Sequence, residues 1–249
     1  MSDIYKAPES ELTAGEESGD YGSLEKGLAG DYAISVGEII SEAWGRIKGH
    51  KGTVWLGILL YVIAAGVITF ISGLITGYPA FDPEEAANAS VTSSLLHQLI
   101  VTAAAAPIVA GMLMIGIKIA RDEKVSGTEV FSHFDKIVPL VVCNILMSIL
   151  IVIGFALLII PGIYLAVAYI LAIPLIVDKG LGPWQALETS RKAITKHWFP
   201  MFGFLLLCLL IYVVGGLALL IGLIWAIPTV AVAYGVVYRK VFGAGPENA

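Results

Sequence analysis

The residues best suited to ligate a metal or act as nucleophiles are few: His50, His97, His133 and His197, with Cys143 and Cys208. A zinc centre needs such donors at close spacing, and neither an HxxxH nor a CxxC pattern occurs. Both cysteines lie inside long apolar stretches, where a thiol acts as a small core residue. The chain has no nucleophile elbow, no HExxH and no glycine-rich phosphate loop. No catalytic, cofactor-binding or metal-binding residue is therefore assigned, and a non-enzymatic protein without a cofactor is expected.

Ionisable groups are also missing from where a pump or proton-coupled carrier would place them. No Asp, Glu, Lys or Arg falls at the centre of any apolar stretch, although such groups mark ion and proton pathways despite their cost. The polar residues left there are neutral: Thr69, Ser72, Thr102, Asn144, Ser148 and Thr229. They are expected to hydrogen-bond between packed helices.

What positions these residues must be mostly lipid-facing helix. The chain has 249 residues, 57% of them hydrophobic and only 14% charged, which is too apolar for an ordinary soluble domain. A bilayer core of about 30 Å needs about 20 apolar residues per crossing. Six stretches qualify, at 53–77, 97–120, 137–160, 162–178, 199–221 and 223–241, and they predict an all-α integral membrane protein of three helical hairpins. Pro161-Gly162 is expected to turn the second hairpin, and Gly222 with Pro228 the third. Pro107, Pro174 and Pro228 should kink their helices.

Residues 1–34 are acidic and poor in branched apolar side chains; they predict a disordered cytoplasmic tail rather than a cleaved signal. Within that tail, which otherwise reads as a solvated spacer, Tyr5-Lys-Ala-Pro8 is the one candidate docking motif. Residues 35–242 then form the membrane domain and 243–249 a short cytoplasmic end. A short amphipathic helix is expected from Val36 to His50, with Ile40, Trp44 or Ala43, and Ile47 on its apolar face.

Orientation follows from charge. Under this division all 15 Lys and Arg residues fall on one side, while the one sizeable opposite loop, Tyr78 to Glu85, is acidic. The positive-inside rule then puts both ends in the cytoplasm. The net charge of −5 arises largely in the tail, and no basic footprint for nucleic acid is present.

One unit is reused. Gly154-Phe-Ala-Leu-Leu-Ile matches Gly216-Leu-Ala-Leu-Leu-Ile, and Ile40, Ile47 and His50 align with Leu187, Ile194 and His197 ahead of their respective hairpins. A shorter version, Val130-Phe131 with Phe134, precedes the middle hairpin. Small residues at four-residue spacing, Gly73 with Gly77, Ala106 with Ala110 and Ala231 with Gly235, suit close packing within the bundle or a homo-oligomer.

Ile160-Pro-Gly-Ile163, Leu171-Ala-Ile-Pro-Leu-Ile-Val-Asp-Lys179 and Ala186-Leu-Glu-Thr-Ser190 leading to Lys196-His-Trp198 resemble the YciC-type family of uncharacterised bacterial inner-membrane proteins. More distantly, residues 36–241 are similar to the membrane domain attached to some glycerophosphodiester phosphodiesterases. The resemblance implies six spans and an inner-membrane address, and supplies no activity and no site residues. The expected role is to organise or regulate partners of the cell envelope through the cytoplasmic face and acidic tail, in contact with membrane lipids. The alternative is a transporter or carrier of an apolar or lipid-like substrate.

Overall fold

A computed structural model describes residues 21–217 and 219–243. Eleven α-helices and two 3-10 turns make up these residues, with no strand among them. In chain order the helices are α1 (Leu24–Ala29), α2 (Val36–Arg46), α3 (Lys51–Thr76), α4 (Pro83–Ala87), α5 (Val91–Ala120), α6 (Ile137–Leu157), α7 (Ile159–Ala168), α8 (Ala172–Lys179), α9 (Pro183–Lys196), α10 (Trp198–Leu217) and α11 (Leu223–Phe242).

Five segments are long and apolar enough to cross a membrane: Lys51–Thr76, Val91–Ala120, Gly127–Leu157, Ile159–Lys179 and Trp198–Leu217. The chain is thus an all-helical, multi-pass membrane protein. Helix α11, expected as a sixth crossing, is not among the five. Its last turn carries Arg239 and Lys240, and its second half is almost wholly buried by protein.

Acidic residues do not keep the chain loose through residue 34. Residues 1–20, with the Tyr5–Pro8 motif, lie outside the described residues, but α1 begins at Leu24. Ser23 caps it by accepting the Lys26 N–H at 3.1 Å, and Gly30 ends it in the left-handed conformation. Tertiary contacts hold this segment down: Gly22 N–H donates to the Arg239 carbonyl at 3.0 Å, and the Tyr32 hydroxyl to Ala193 at 2.9 Å.

In α2 the buried stripe is Ile39, Ala43 and Ile47, whereas Trp44 is 51% exposed. The apolar face therefore runs through Ala43, the smaller of the two candidates. Helix α9 shows the same design, burying Leu187, Ser190, Ala193 and Ile194 and turning Glu188, Arg191 and Lys192 outward.

The α6 to α7 turn sits at Leu158, whose backbone is extended, three residues before the proline expected to make it. Pro161 instead occupies the first turn of α7, where its missing N–H costs nothing. Gly154 and Gly162 face each other across this turn so closely that a Cβ on Gly154 would lie 3.0 Å from the Gly162 Cα. Gly215 and Gly222 repeat the contact between α10 and α11, at 2.7 Å for a Cβ on Gly222. The repeat is real at the turns, but Gly154 corresponds in role to Gly215 and not to Gly216, beside which space is open.

Prolines leave a signature of their own. Pro174 has no N–H for the Ile170 carbonyl, and the chain breaks between α7 and α8 at residues 169–171. The Tyr234 hydroxyl, on α11, donates to that carbonyl at 2.7 Å. Ser190 fills the other gaps by donating to Ala168 and accepting from Leu171 N–H. Pro228 likewise deprives the Ile224 carbonyl, and the Trp55 indole N–H, on α3, donates to it at 3.2 Å. The Ile170 and Ile224 carbonyls are thus each satisfied by an aromatic donor from a different helix. Helix α5 continues through Pro107, which is buried.

Helices α5 and α11 form the centre. A Cβ on Gly116 would fall 2.2 Å from the Ala231 carbonyl, and one on Gly235 2.2 Å from the Gly116 carbonyl. The Ala231 and Gly235 pair is therefore used inside the chain, as is Gly73, which packs against the Tyr78 carbonyl. The outer helices are far barer: Leu59, Val62 and Ile63 of α3 and Leu209, Leu210 and Val214 of α10 are all exposed to the surrounding solvent, as lipid-facing residues should be.

Candidate functional site

Charged side chains collect where the ends of α2, α5, α8 and α11 meet, and this is the most elaborate polar arrangement among the described residues. Each comes from the last turn of an apolar helix or from an amphipathic one, so the sequence delivers them to one end.

Arg121 closes α5. The next residue, Asp122, adopts the left-handed conformation at φ 58°, and Glu123 N–H reaches back to the Lys118 carbonyl at 2.9 Å. This sharp stop points the Arg121 side chain, 3% exposed, at Asp178 on α8, also 3% exposed. Two parallel hydrogen bonds of 2.8 and 2.9 Å join guanidinium and carboxylate. Two further N–H groups of Arg121 donate to the Gly243 carbonyl at 3.0 and 2.6 Å, and the Tyr238 hydroxyl donates to Asp178 at 2.9 Å. Burial alone would disfavour the charged guanidinium, but the hydrogen bonds and charge of Asp178 push Arg121 above its ordinary range.

One turn along α11, Arg239 is also buried. It donates to the Ala120 carbonyl at 2.6 Å and pairs with Glu42 of α2 at 2.8 Å, while its Nε has no partner. Its guanidinium lies 4.9 Å from the centre of the Tyr21 ring. Glu42 also receives Arg46, which reaches Asp122, and Lys118 pairs with Glu129 in the turn at Gly127–Phe131. The result is a set of ion pairs, Arg239 with Glu42, Arg46 with Asp122 and Arg121 with Asp178, tied together by the Arg239 bond to the Ala120 carbonyl.

The histidines are dispersed. His50 bonds to the Arg46 carbonyl, His197 to the Gly30 carbonyl beneath the Tyr32 ring, and His97 stacks on Tyr78 at 4.5 Å. His133 keeps one buried ring nitrogen without a partner. No group of three His, Cys, Asp or Glu side chains comes together among the described residues. Cys143 and Cys208 are buried and unpaired.

Of the neutral polar residues expected to link helices, Ser72 does so, donating to the His97 carbonyl at 3.3 Å. Thr102, Asn144 and Thr229 bond within their own helices. Aromatic N–H and O–H groups make the cross-helix bonds instead, Trp198 to the Tyr164 carbonyl among them.

Sequence reasoning did not foresee the Arg121 and Asp178 pair. Its partners stand 57 positions apart, so no local spacing announces it. The available signal is that Asp178 and Arg239 follow directly on long apolar runs and Arg121 comes three residues after Lys118 closes another, close to where the helices must converge.

In comparisons with known proteins, no family model, curated protein or solved structure matches the chain.

Proposed function

We propose that this chain is a non-enzymatic protein of a bacterial inner membrane that organises or regulates partners through its basic end. The observation behind this reading is how its charges are used: the buried Arg121, Asp178 and Arg239, with the partly exposed Glu42, are consumed in bracing four helices, which makes a rigid collar rather than a reactive centre. Around it Trp44, Phe131, Phe134 and Trp184 stay exposed, as aromatic anchors for a partner or a membrane interface do.

An even number of crossings with both ends in the cytoplasm suits the contacts. His197, which opens α10, meets Gly30, while Arg239, which closes α11, meets Gly22, Glu42 and Ala120. The two ends of the α10 and α11 pair thus share one face, and such a pair crosses twice or not at all. Six spans keep all 15 basic residues together. The resemblance to YciC-type proteins agrees with this topology.

Chemical cross-linking in intact membranes, followed by purification of the full chain, tests the role. Defined protein partners that depend on the collar support it. Recovery of lipid alone, unchanged by deletion of residues 1–20, counts against it. A carrier of lipid-like molecules is the second reading, drawn from the proline-broken α7 and α8 segment; accelerated lipid movement across vesicles holding the pure protein would favour it.

A further inference from the structure

Two grooves meet on the outer side of α7, α9 and α10. One, of about 600 Å³, is lined by Ile160, Ile163, Tyr164, Trp198, Phe199 and Phe202. The other, of about 740 Å³, runs along α9 beside Trp184, Glu188, Arg191, Lys192, Thr195 and Lys196. They join at a single hydrogen-bonded point: Tyr164 lies 2.6 Å from the Thr195 hydroxyl, which in turn donates to the Arg191 carbonyl at 2.6 Å.

The apolar half offers nothing polar to an occupant. Trp198 N–H is committed to the Tyr164 carbonyl at 3.3 Å and the Tyr164 hydroxyl to Thr195, leaving ring faces and methyl groups. A peptide laid there would leave its backbone unsatisfied, whereas a hydrocarbon chain has nothing to satisfy. Phe199 at 80% and Ile160 at 78% exposure give it open aromatic and aliphatic walls. The polar half sets three cations, Arg191, Lys192 and Lys196, against the single carboxylate of Glu188, which pairs with Arg191 at 2.7 Å and Lys192 at 3.5 Å; one carboxylate cannot neutralise all three, and the excess of positive charge suits a phosphate.

We propose that this amphipathic double groove binds one anionic phospholipid, with an acyl chain along Ile163, Trp198 and Phe202 and the phosphate at Lys192 and Lys196 beside Arg191. The site serves an organiser or a carrier equally, and so stands apart from the role proposed above.

The test uses the full chain in nanodiscs of phosphatidylcholine with about one tenth phosphatidylglycerol, released into native mass spectrometry. Wild type is expected to retain phosphatidylglycerol over phosphatidylcholine at about 30 times their bulk ratio, the scale two basic contacts supply. Arg191→Gln with Lys192→Gln should bring retention down to the bulk share, while Lys48→Gln with Lys124→Gln, which removes equal charge elsewhere, should leave it unchanged. Phe199→Ala with Phe202→Ala should lower the lipid count itself. Retention of the two lipids by wild type in their bulk ratio, equal loss in the two charge variants, or displacement of the lipid by inorganic phosphate would each overturn the proposal; the wild-type ratio decides even if a variant fails to fold.

Discussion

Arg121 holds Asp178 through two parallel hydrogen bonds of 2.8 and 2.9 Å, with both side chains 3% exposed. A buried pair of this kind is worth little over an apolar replacement, yet losing one partner strands the other's charge. Asp178→Ala should therefore destabilise the protein by about 3–5 kcal/mol. Replacing both residues together, Arg121→Met with Asp178→Leu, should cost markedly less. Thermal unfolding in detergent separates the two, and equal losses would show that the pair is not the unit.

The proline carbonyls make a second prediction. Trp55→Phe removes the donor to the Ile224 carbonyl and should cost about 1 kcal/mol. In a Pro228→Ala background the new N–H can serve that carbonyl, so the same change should cost close to nothing. A double-mutant cycle on unfolding temperature reads the difference; additivity would refute the pairing.

Packing at the centre sets up a contrast between glycines. Gly116→Ala puts a Cβ 2.2 Å from a backbone oxygen and should destabilise by about 1–3 kcal/mol or more. Gly216→Ala meets open space and should be neutral or stabilise by about 0.5–1 kcal/mol, from helix propensity. Unfolding midpoints of the two variants check both signs.

On α9 the Arg191 guanidinium, hydrogen-bonded to Glu188 at 2.7 and 2.9 Å, holds that carboxyl below its ordinary range. A depressed folded value means the pair's support is present above the ordinary carboxylate range and is lost as pH falls through the lowered value. Amide exchange of α9 should accelerate on acidification over that window. Glu188→Gln should remove the pH dependence.

Topology gives the last prediction. Single cysteines at the exposed positions Glu85 and Lys192 should react with an impermeant reagent from opposite sides of a sealed membrane. Labelling from one side would overturn the six-span arrangement.

The sequence made the helices legible because their cause is local. Apolar runs located α3 at Lys51–Thr76 against an expected 53–77, and the run ending at Ala120 was placed to the residue. It misled where the cause is tertiary. Trp44 and Ala43 are equally plausible on a helical wheel, and only the close approach of α2 to α11 selects the smaller side chain. Pro161 looked like the turn because proline ends helices, yet it also starts them, and Leu158 made the reversal. The ordering of α1 rests on Arg239 and Ala193, more than 150 residues away, which no composition argument reaches. The candidate site was the least legible, since its buried ion pairs, Arg121 with Asp178 and Arg239 with Glu42, join residues far apart in the chain.

The bonds from Arg121 to the Gly243 carbonyl carry a temporal meaning. A ribosome releases Arg121 and Asp178 long before Gly243, so the growing chain holds a half-satisfied guanidinium until α11 emerges. Collar closure therefore waits for Gly243, and a chain stopped short of it leaves two Arg121 N–H donors without their acceptor.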